Sequence, residues 1–215
     1  MKISFLCSDA AHPVNTYLND WIGHHAARHT IELARRKAEL SGGDILFLIS
    51  CSEIVRETDR AAYGACLVLH ASDLPRGRGW SPHVWEIIGG AETITLSLLD
   101  AADSVDSGRI WKKLQIPIPK HALWDEINQA LFEAEIDLID FAVEHFDSVR
   151  PEPQDSTVDA TYHPRRTPDD SRIDPHRNIA EQFDQIRVCD PARFPAFFDL
   201  HGHRYKLTLE KMDEQ

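Results

Sequence analysis

Two unbroken apolar runs limit what this chain can fold into. Between the polar ends of Asp44 to Ser50 lie Ile-Leu-Phe-Leu-Ile, and Ala65 to His70 reads Ala-Cys-Leu-Val-Leu-His. Runs of this length, rich in β-formers and bounded by polar loops, describe strands buried on both faces, as in parallel sheets covered by helices. Residues 2 to 7 alternate and predict a first strand of the same sheet. Helices are expected between the strands, from about Asn15 to Ile22 and from about Glu53 to Arg60, which gives a β-α-β alternation. Ile31, Leu33 and Ala34 fit a short strand or a helix, with strand preferred, and Gly42-Gly43 ends it. Further on, Pro82 to Ile88 predicts a helix with proline in its first turn, and Glu92 to Leu99 alternates as a strand. Lys120 to Phe146 carries Ile127, Leu131, Ala134, Leu138 and Phe141 at steps of four, three, four and three, the stripe of a core-facing helix.

The fold class expected is therefore α/β, a Rossmann-like and mostly parallel sheet flanked by helices, occupying residues 1 to 150. Arg-Pro-Glu-Pro-Gln-Asp-Ser, from Arg150, reads as a linker into a small C-terminal element, residues 151 to 215. That element is expected to hold a helix from Ile179 to Val188 and a hairpin of Ala196 to Leu200 with Tyr205 to Leu209 around His201-Gly202-His203. At 215 residues one substantial core with an appendage is affordable, and two full domains would be crowded. No apolar run approaches the roughly 20 residues of a membrane helix, and the N-terminus suits a core strand better than a signal peptide, so a cytoplasmic protein is expected.

A net charge of −12 disfavours a broad nucleic-acid surface, because such surfaces draw on neutralised phosphates. The basic cluster at Tyr162-His163-Pro164-Arg165-Arg166 suits one anionic small molecule instead. Cys7, Cys51, Cys66 and Cys189 are scattered and form no CxxC pair, so neither a zinc knuckle nor a disulfide framework is indicated. His24, His25 and His29 share a helix face, but without a neighbouring glutamate or an evident third ligand they predict no metal site. Gly77 and Gly79 lack the strand-then-helix setting of a phosphate loop.

The chemistry concentrates where His70 ends an apolar strand and opens Ala-Ser-Asp-Leu-Pro-Arg-Gly-Arg-Gly-Trp-Ser-Pro. A strand end of an open α/β sheet is where side chains meet a ligand crevice. A second polar loop brings Asp106 about 36 residues later, after an intervening helix and strand. If the next strand lies beside the first, the carboxylate meets the imidazole, a pairing that fixes the tautomer and supports proton transfer near neutral pH.

His70, Ser72, Leu74, Pro75, Arg78, Gly79, Pro82, Trp85, Asp106 and Gly108 fall at the spacing of a known hallmark, Asn-x-His-x-Ser-x-Leu-Pro, then Arg-Gly, Pro-x-x-Trp and an Asp-Thr-Gly-like turn. The chain thus resembles the formyltransferases that use 10-formyltetrahydrofolate, the group of methionyl-tRNA, glycinamide ribonucleotide and sugar N-formyltransferases. The resemblance implies His70 and Asp106 as catalytic residues, with Ser50, Cys51, Ser52, Ile54 and Asp103 facing the folate and no metal involved. One position departs from the pattern: the hallmark asparagine, an oxyanion donor, falls on Val68. Loss of one such donor costs roughly 100- to 1000-fold in rate, so a backbone amide or side chain of Ser50-Cys51-Ser52 is expected to substitute, or activity is impaired.

The tail Tyr162 to Asp174 resembles the Tyr-x-x-Arg-x-Pro-Glu-Asp-Gly-x-Ile-Asp stretch of the sugar N-formyltransferases, and His-Ala-Ser-Asp-Leu-Pro with Gly-Trp-Ser-Pro looks like the subgroup acting on amino-dideoxy sugars in surface-polysaccharide or pseudaminic-acid-type pathways. It implies a UDP- or dTDP-linked amino sugar as acceptor. His12, Asn15, Arg78, Trp80, Tyr162, Arg165 and Arg166 are the residues expected to contact it, Tyr162 by stacking on the base and the arginines by pairing with the diphosphate. The short C-terminal remainder disfavours a tRNA acceptor. Two alternatives stand beside this reading: a non-catalytic folate or sugar-nucleotide binding protein of the same fold, suggested by Val68, and a glycinamide ribonucleotide-type enzyme. A homodimer through the C-terminal hairpin is a further expectation of the resemblance.

Overall fold

The apolar runs become neighbouring strands. A computed structural model describes residues 1–212. Its elements are β1 (Lys2–Leu6), α1 (Val14–His25), β2 (Thr30–Ala34), β3 (Gly43–Leu48), α2 (Glu57–Arg60), β4 (Tyr63–His70), β5 (Arg78–Gly79), α3 (Pro82–Ile88), β6 (Thr93–Asp100), β7 (Ile110–Pro117), α4 (Trp124–Glu144), β8 (Tyr162–His163), α5 (Ile179–Arg187), β9 (Ala196–Leu200) and β10 (His203–Leu207). The main sheet has the order β2-β1-β3-β4-β6-β7. β2, β1, β3 and β4 run parallel, whereas β6 and β7 join antiparallel. The sheet is thus mostly parallel, flanked by helices, with the short β9–β10 hairpin near the C-terminus.

Ile3, Phe5, Ile45, Phe47 and Leu67 are fully buried, which explains why β1, β3 and β4 are so apolar. Phe5 stacks on Phe47 at 5.3 Å and meets Trp21 of α1 edge-on, also at 5.3 Å. Trp21 Nε1 donates to Asp140 Oδ1 (2.6 Å), tying α1 to α4. The α4 stripe buries Ile127, Leu131, Ala134 and Leu138 as its spacing predicts. At its C-terminal end the buried face turns to Ile139 and Ala142, leaving Phe141 half-buried.

Some local expectations need correction. The helix expected from Glu53 shrinks to the single turn Glu57–Arg60, which has no buried residue to hold a longer one. β7 was not expected; paired lysines, Lys112 and Lys113, interrupt its apolar pattern. The segment after residue 150 is no free linker. Glu152 exchanges backbone hydrogen bonds with Ile110 (2.7 and 2.9 Å), and β8 pairs in parallel with β5, laying residues 152–163 across the loop that follows β4. Arg187, almost fully buried, seats α5: its Nη1 donates to the carbonyls of Pro119 (3.1 Å) and Ala122 (3.2 Å), and its Nε pairs with Asp184 (2.6 Å). Among the described residues no helix is long and apolar enough to cross a membrane.

Candidate active site

One cleft of about 1200 Å³ collects the loops after β1, β3 and β4, the β6–β7 loop, and one face of α4. His70 stands in its wall at the end of β4, largely shielded from solvent. Its Nε2 lies 2.8 Å from the Gly77 carbonyl oxygen. A carbonyl can only accept, so Nε2 carries the proton and donates. In the neutral ring Nδ1 is therefore the bare nitrogen, and it faces Asp106 Oδ2 at 3.6 Å. That separation is too long for a hydrogen bond, so Asp106 stands off and leaves Nδ1 free to take a proton. Once protonated, the ring would sit between two acceptors, the Gly77 carbonyl and the Asp106 carboxylate. The arrangement thus leaves Nδ1 able to accept a proton.

Asp106 is itself held tightly. Its Oδ2 accepts the Gly79 N–H (2.9 Å), and its backbone takes a left-handed φ of 51°. Gln154 clamps the turn: Nε2 donates to the carbonyls of Asp106 (2.7 Å) and Gly108 (2.9 Å), while Oε1 accepts from Arg78 Nη2 (2.7 Å). Gln154 lies in the segment read as a linker, and an isolated glutamine in a proline-rich stretch carries no pattern that would have revealed it.

The residues expected to face the folate, Ser50, Cys51, Ser52, Ile54 and Asp103, all line the cleft, as does Val68. Ser50 adopts a left-handed φ of 46°. The Ser52 amide is already engaged by Ser8 Oγ (3.1 Å), so it is not a free donor in place of the missing asparagine. Asp103 forms an ion pair with Arg60 (2.7 Å).

Of the residues expected to contact the acceptor, His12, Trp80, Arg165 and Arg166 line the cleft. Arg165 lies over the Trp80 ring at 5.0 Å, and Arg166 Nη2 donates to Ser171 Oγ (3.1 Å). Burial, reinforced by Arg193, pushes the His12 imidazole down to about 4, so it is neutral near pH 7. Tyr162 and Arg78 sit beside the rim rather than in the wall, with Arg78 over the Tyr162 ring at 5.9 Å and Nη1 donating to its hydroxyl (3.2 Å).

Asn15 is a correction. It is buried in the first turn of α1, where Nδ2 donates to the carbonyls of Asp9 (2.9 Å) and His12 (2.8 Å) and Oδ1 accepts from Arg35 (2.5 Å). Its polar atoms are consumed in shaping the loop that presents His12. Asn15→Leu is accordingly expected to lower unfolding stability by about 1–3 kcal/mol in urea titrations, the cost of stranding buried partners.

Two cleft residues escaped sequence reasoning. His83 of α3 has an unpartnered, solvent-shielded Nδ1, and burial pushes it down to about 4. Glu135 of α4 also lines the cleft. Among the described residues there is no group of three or more His, Cys, Asp or Glu side chains able to hold a metal, and His25 of the histidine run stacks on Trp21 at 4.2 Å.

No family model matches the chain. Among curated proteins, it is 28% identical over 194 residues to a methionyl-tRNA formyltransferase of Ruegeria pomeroyi, covering 87% of this chain and 63% of that protein. The chain spans less than two thirds of the length of the curated relatives it matches first. Among solved structures, a methionyl-tRNA formyltransferase from Clostridium thermocellum superposes with a TM-score of 0.84 at 21% identity, over 99% of this chain and 94% of that one. HypX from Aquifex aeolicus in complex with tetrahydrofolic acid gives 0.79 at 19%, over 95% of this chain and 36% of that one. A sugar N-formyltransferase from Shewanella sp FDAARGOS_354 gives 0.75 at 13%, over 100% and 99%. The structural likenesses show that the chain has the fold of a methionyl-tRNA formyltransferase core, and along most of its length its sequence is similar to those of methionyl-tRNA formyltransferases.

Proposed function

We propose that this protein transfers a formyl group from 10-formyltetrahydrofolate to the amine of a nucleotide-linked amino sugar. The observation that carries the reading is His70, held through Nε2 by the Gly77 carbonyl so that its free Nδ1 faces Asp106 in the cleft. The cleft fits the donor: Leu48, Ile49, Val55, Leu69 and Leu99 offer an apolar wall for a flat heterocycle, and the Ser50–Ser52 loop lies beside them with polar groups. Bound there, 10-formyltetrahydrofolate would supply the formyl carbon. His70 accepts at Nδ1 the proton that the amine loses as its nitrogen bonds to that carbon, and Asp106 stabilises the resulting imidazolium. The same proton is then available to the folate nitrogen as its bond to the formyl group breaks. No net proton is gained or lost.

The sugar-nucleotide acceptor is supported by the rim. Trp80 and Tyr162 offer faces for a base, and Arg165 and Arg166 offer positive charge for a diphosphate. The test is to incubate the protein with 10-formyltetrahydrofolate and a panel of UDP- and dTDP-linked amino-dideoxy sugars, glycinamide ribonucleotide and methionyl-tRNA, then weigh the products. A gain of one formyl group on a sugar nucleotide is the expected result. Formylation of methionyl-tRNA alone would overturn the acceptor, and no formylation at all would overturn the activity.

A further inference from the structure

Among the described residues, one solvent-shielded carboxyl oxygen in the cleft makes no hydrogen bond. Asn128, Leu131, Phe132 and Glu135 stand at steps of three, one and three along α4, so they share one face of the helix, and all four line the cleft. Leu131 and Phe132 are buried, and Phe132 packs edge-on against His12 at 5.7 Å. Beside this apolar surface Glu135 Oε2 is closed off from solvent and makes no hydrogen bond. Burial alone pushes its carboxyl up to about 8, and no neighbouring charge offsets it.

A shielded carboxyl oxygen without a partner is an unfavourable arrangement, because it is closed off from water and gains no hydrogen bond in return. Among the described residues no cation pairs with it, and Arg193 of the same cleft is bound to Asp9 (3.0 Å). A leucine at position 135 would pack on Leu131 and Phe132 without this penalty. A carboxyl that keeps its proton near pH 7 offers both an O–H donor and an acceptor oxygen, so the group that completes Glu135 is a small polar one able to pair with either and to enter the cleft. A hydroxyl, which both donates and accepts, satisfies the carboxyl in either protonation state, and an amine satisfies its acceptor oxygens.

Building on the formyl-transfer reading, we propose that Glu135 is an acceptor-binding, specificity-determining residue that takes an O–H or N–H donor of the acceptor's sugar. It divides the work of recognition with the 162–166 segment, where Arg165 and Arg166 suit the anionic part of the same molecule. An acceptor whose matching hydroxyl or amine is deleted leaves the carboxyl stranded and is rejected, which gives selectivity that an apolar wall alone does not provide.

The experiment compares wild-type protein with Glu135→Gln and Glu135→Leu, using the UDP- or dTDP-linked amino sugar that the wild type formylates fastest. The acceptor KM is expected to rise about 10-fold or more in Glu135→Leu, with kcat and the KM for 10-formyltetrahydrofolate changing little. Glu135→Gln, which keeps a carbonyl acceptor, recovers part of the loss. Thermal melts are expected to show Glu135→Leu at least as stable as the wild type, which separates loss of a ligand contact from loss of fold. An unchanged acceptor KM in Glu135→Leu overturns the inference and leaves formyl transfer standing. Equal losses for both substrates together with a lowered melting temperature also overturn it, in favour of a structural role. A wild type that formylates no amine overturns both readings at once.

Discussion

His70→Asn is expected to lower kcat for formyl transfer about 100- to 10,000-fold, the range associated with loss of a positioned general base, while the protein remains folded. The amide can reach the place of Nδ1 but lacks its basicity, so the proton released by the attacking amine has no receiver beside Asp106. The fold should survive because the strand bearing residue 70 is held by its backbone ladders to β3 and β6 and by the buried Leu67, none of which involves the imidazole. The contact that is lost, Nε2 to the Gly77 carbonyl, lies at the edge of the loop. Single-turnover kinetics with saturating 10-formyltetrahydrofolate and acceptor isolates the chemical step, and far-UV circular dichroism checks the fold. A variant retaining more than about a tenth of wild-type kcat would take His70 out of the proton path.

What was legible in the sequence follows from what burial does to composition. β1, β3 and β4 lie in the middle of the parallel part of the sheet, where both faces are covered, and their apolar runs announced them. β2 lies at the edge, with most of its residues only partly buried, and its pattern is correspondingly equivocal between strand and helix. β7 is an edge strand too, and its two lysines are compatible with solvent on that side but read as an interruption. The antiparallel entry of β6 has no signature of its own, because a strand's alternation is the same in either direction.

The site divides along the same line. That His70 and Asp106 meet was legible because glycines, prolines and titratable residues fall at fixed spacing in two loops at neighbouring strand ends. Gly77, Gln154 and Glu135 were not. Gly77 acts through its carbonyl, which every residue possesses, and Gln154 acts through a crossing of distant segments that no local pattern encodes. Glu135 occupies a position between the Leu131 and Leu138 turns of an amphipathic helix, where an occasional acid ordinarily marks the solvent side. Only the fold reveals that this part of α4 forms the cleft wall. Asn15 failed in the opposite sense: a polar residue near a presumed ligand edge proved to be occupied entirely by its own loop.

The turn that aims Asp106 should be as sensitive as the proposed catalytic pair itself. Gly108→Ala is expected to destabilise the protein by about 3 kcal/mol or more, at the upper end of what overpacking costs, and to depress kcat as well. A methyl group at this position would overlap the Asp100 carbonyl oxygen and crowd the carbon that bears it. Both are backbone atoms, so no side-chain rotation relieves the clash and the chain itself must move. Neighbouring restraints make that movement expensive: Asp100 N donates to the Arg109 carbonyl (2.9 Å), Gln154 holds the carbonyls of Asp106 and Gly108, and the Asp106 carboxylate is fixed to the Gly79 amide. Relief on one side therefore displaces Asp106 relative to His70. A misplacement of about 1 Å at a reacting centre can lower the rate roughly 100-fold. Urea unfolding would read the stability loss, and kcat measured well below the variant's melting temperature would read the displacement. Full stability in Gly108→Ala would mean that the β6–β7 turn tolerates a different path. Full stability together with unaltered kcat would mean that the orientation of Asp106 does not matter to the reaction, a result incompatible with the role assigned to it beside His70.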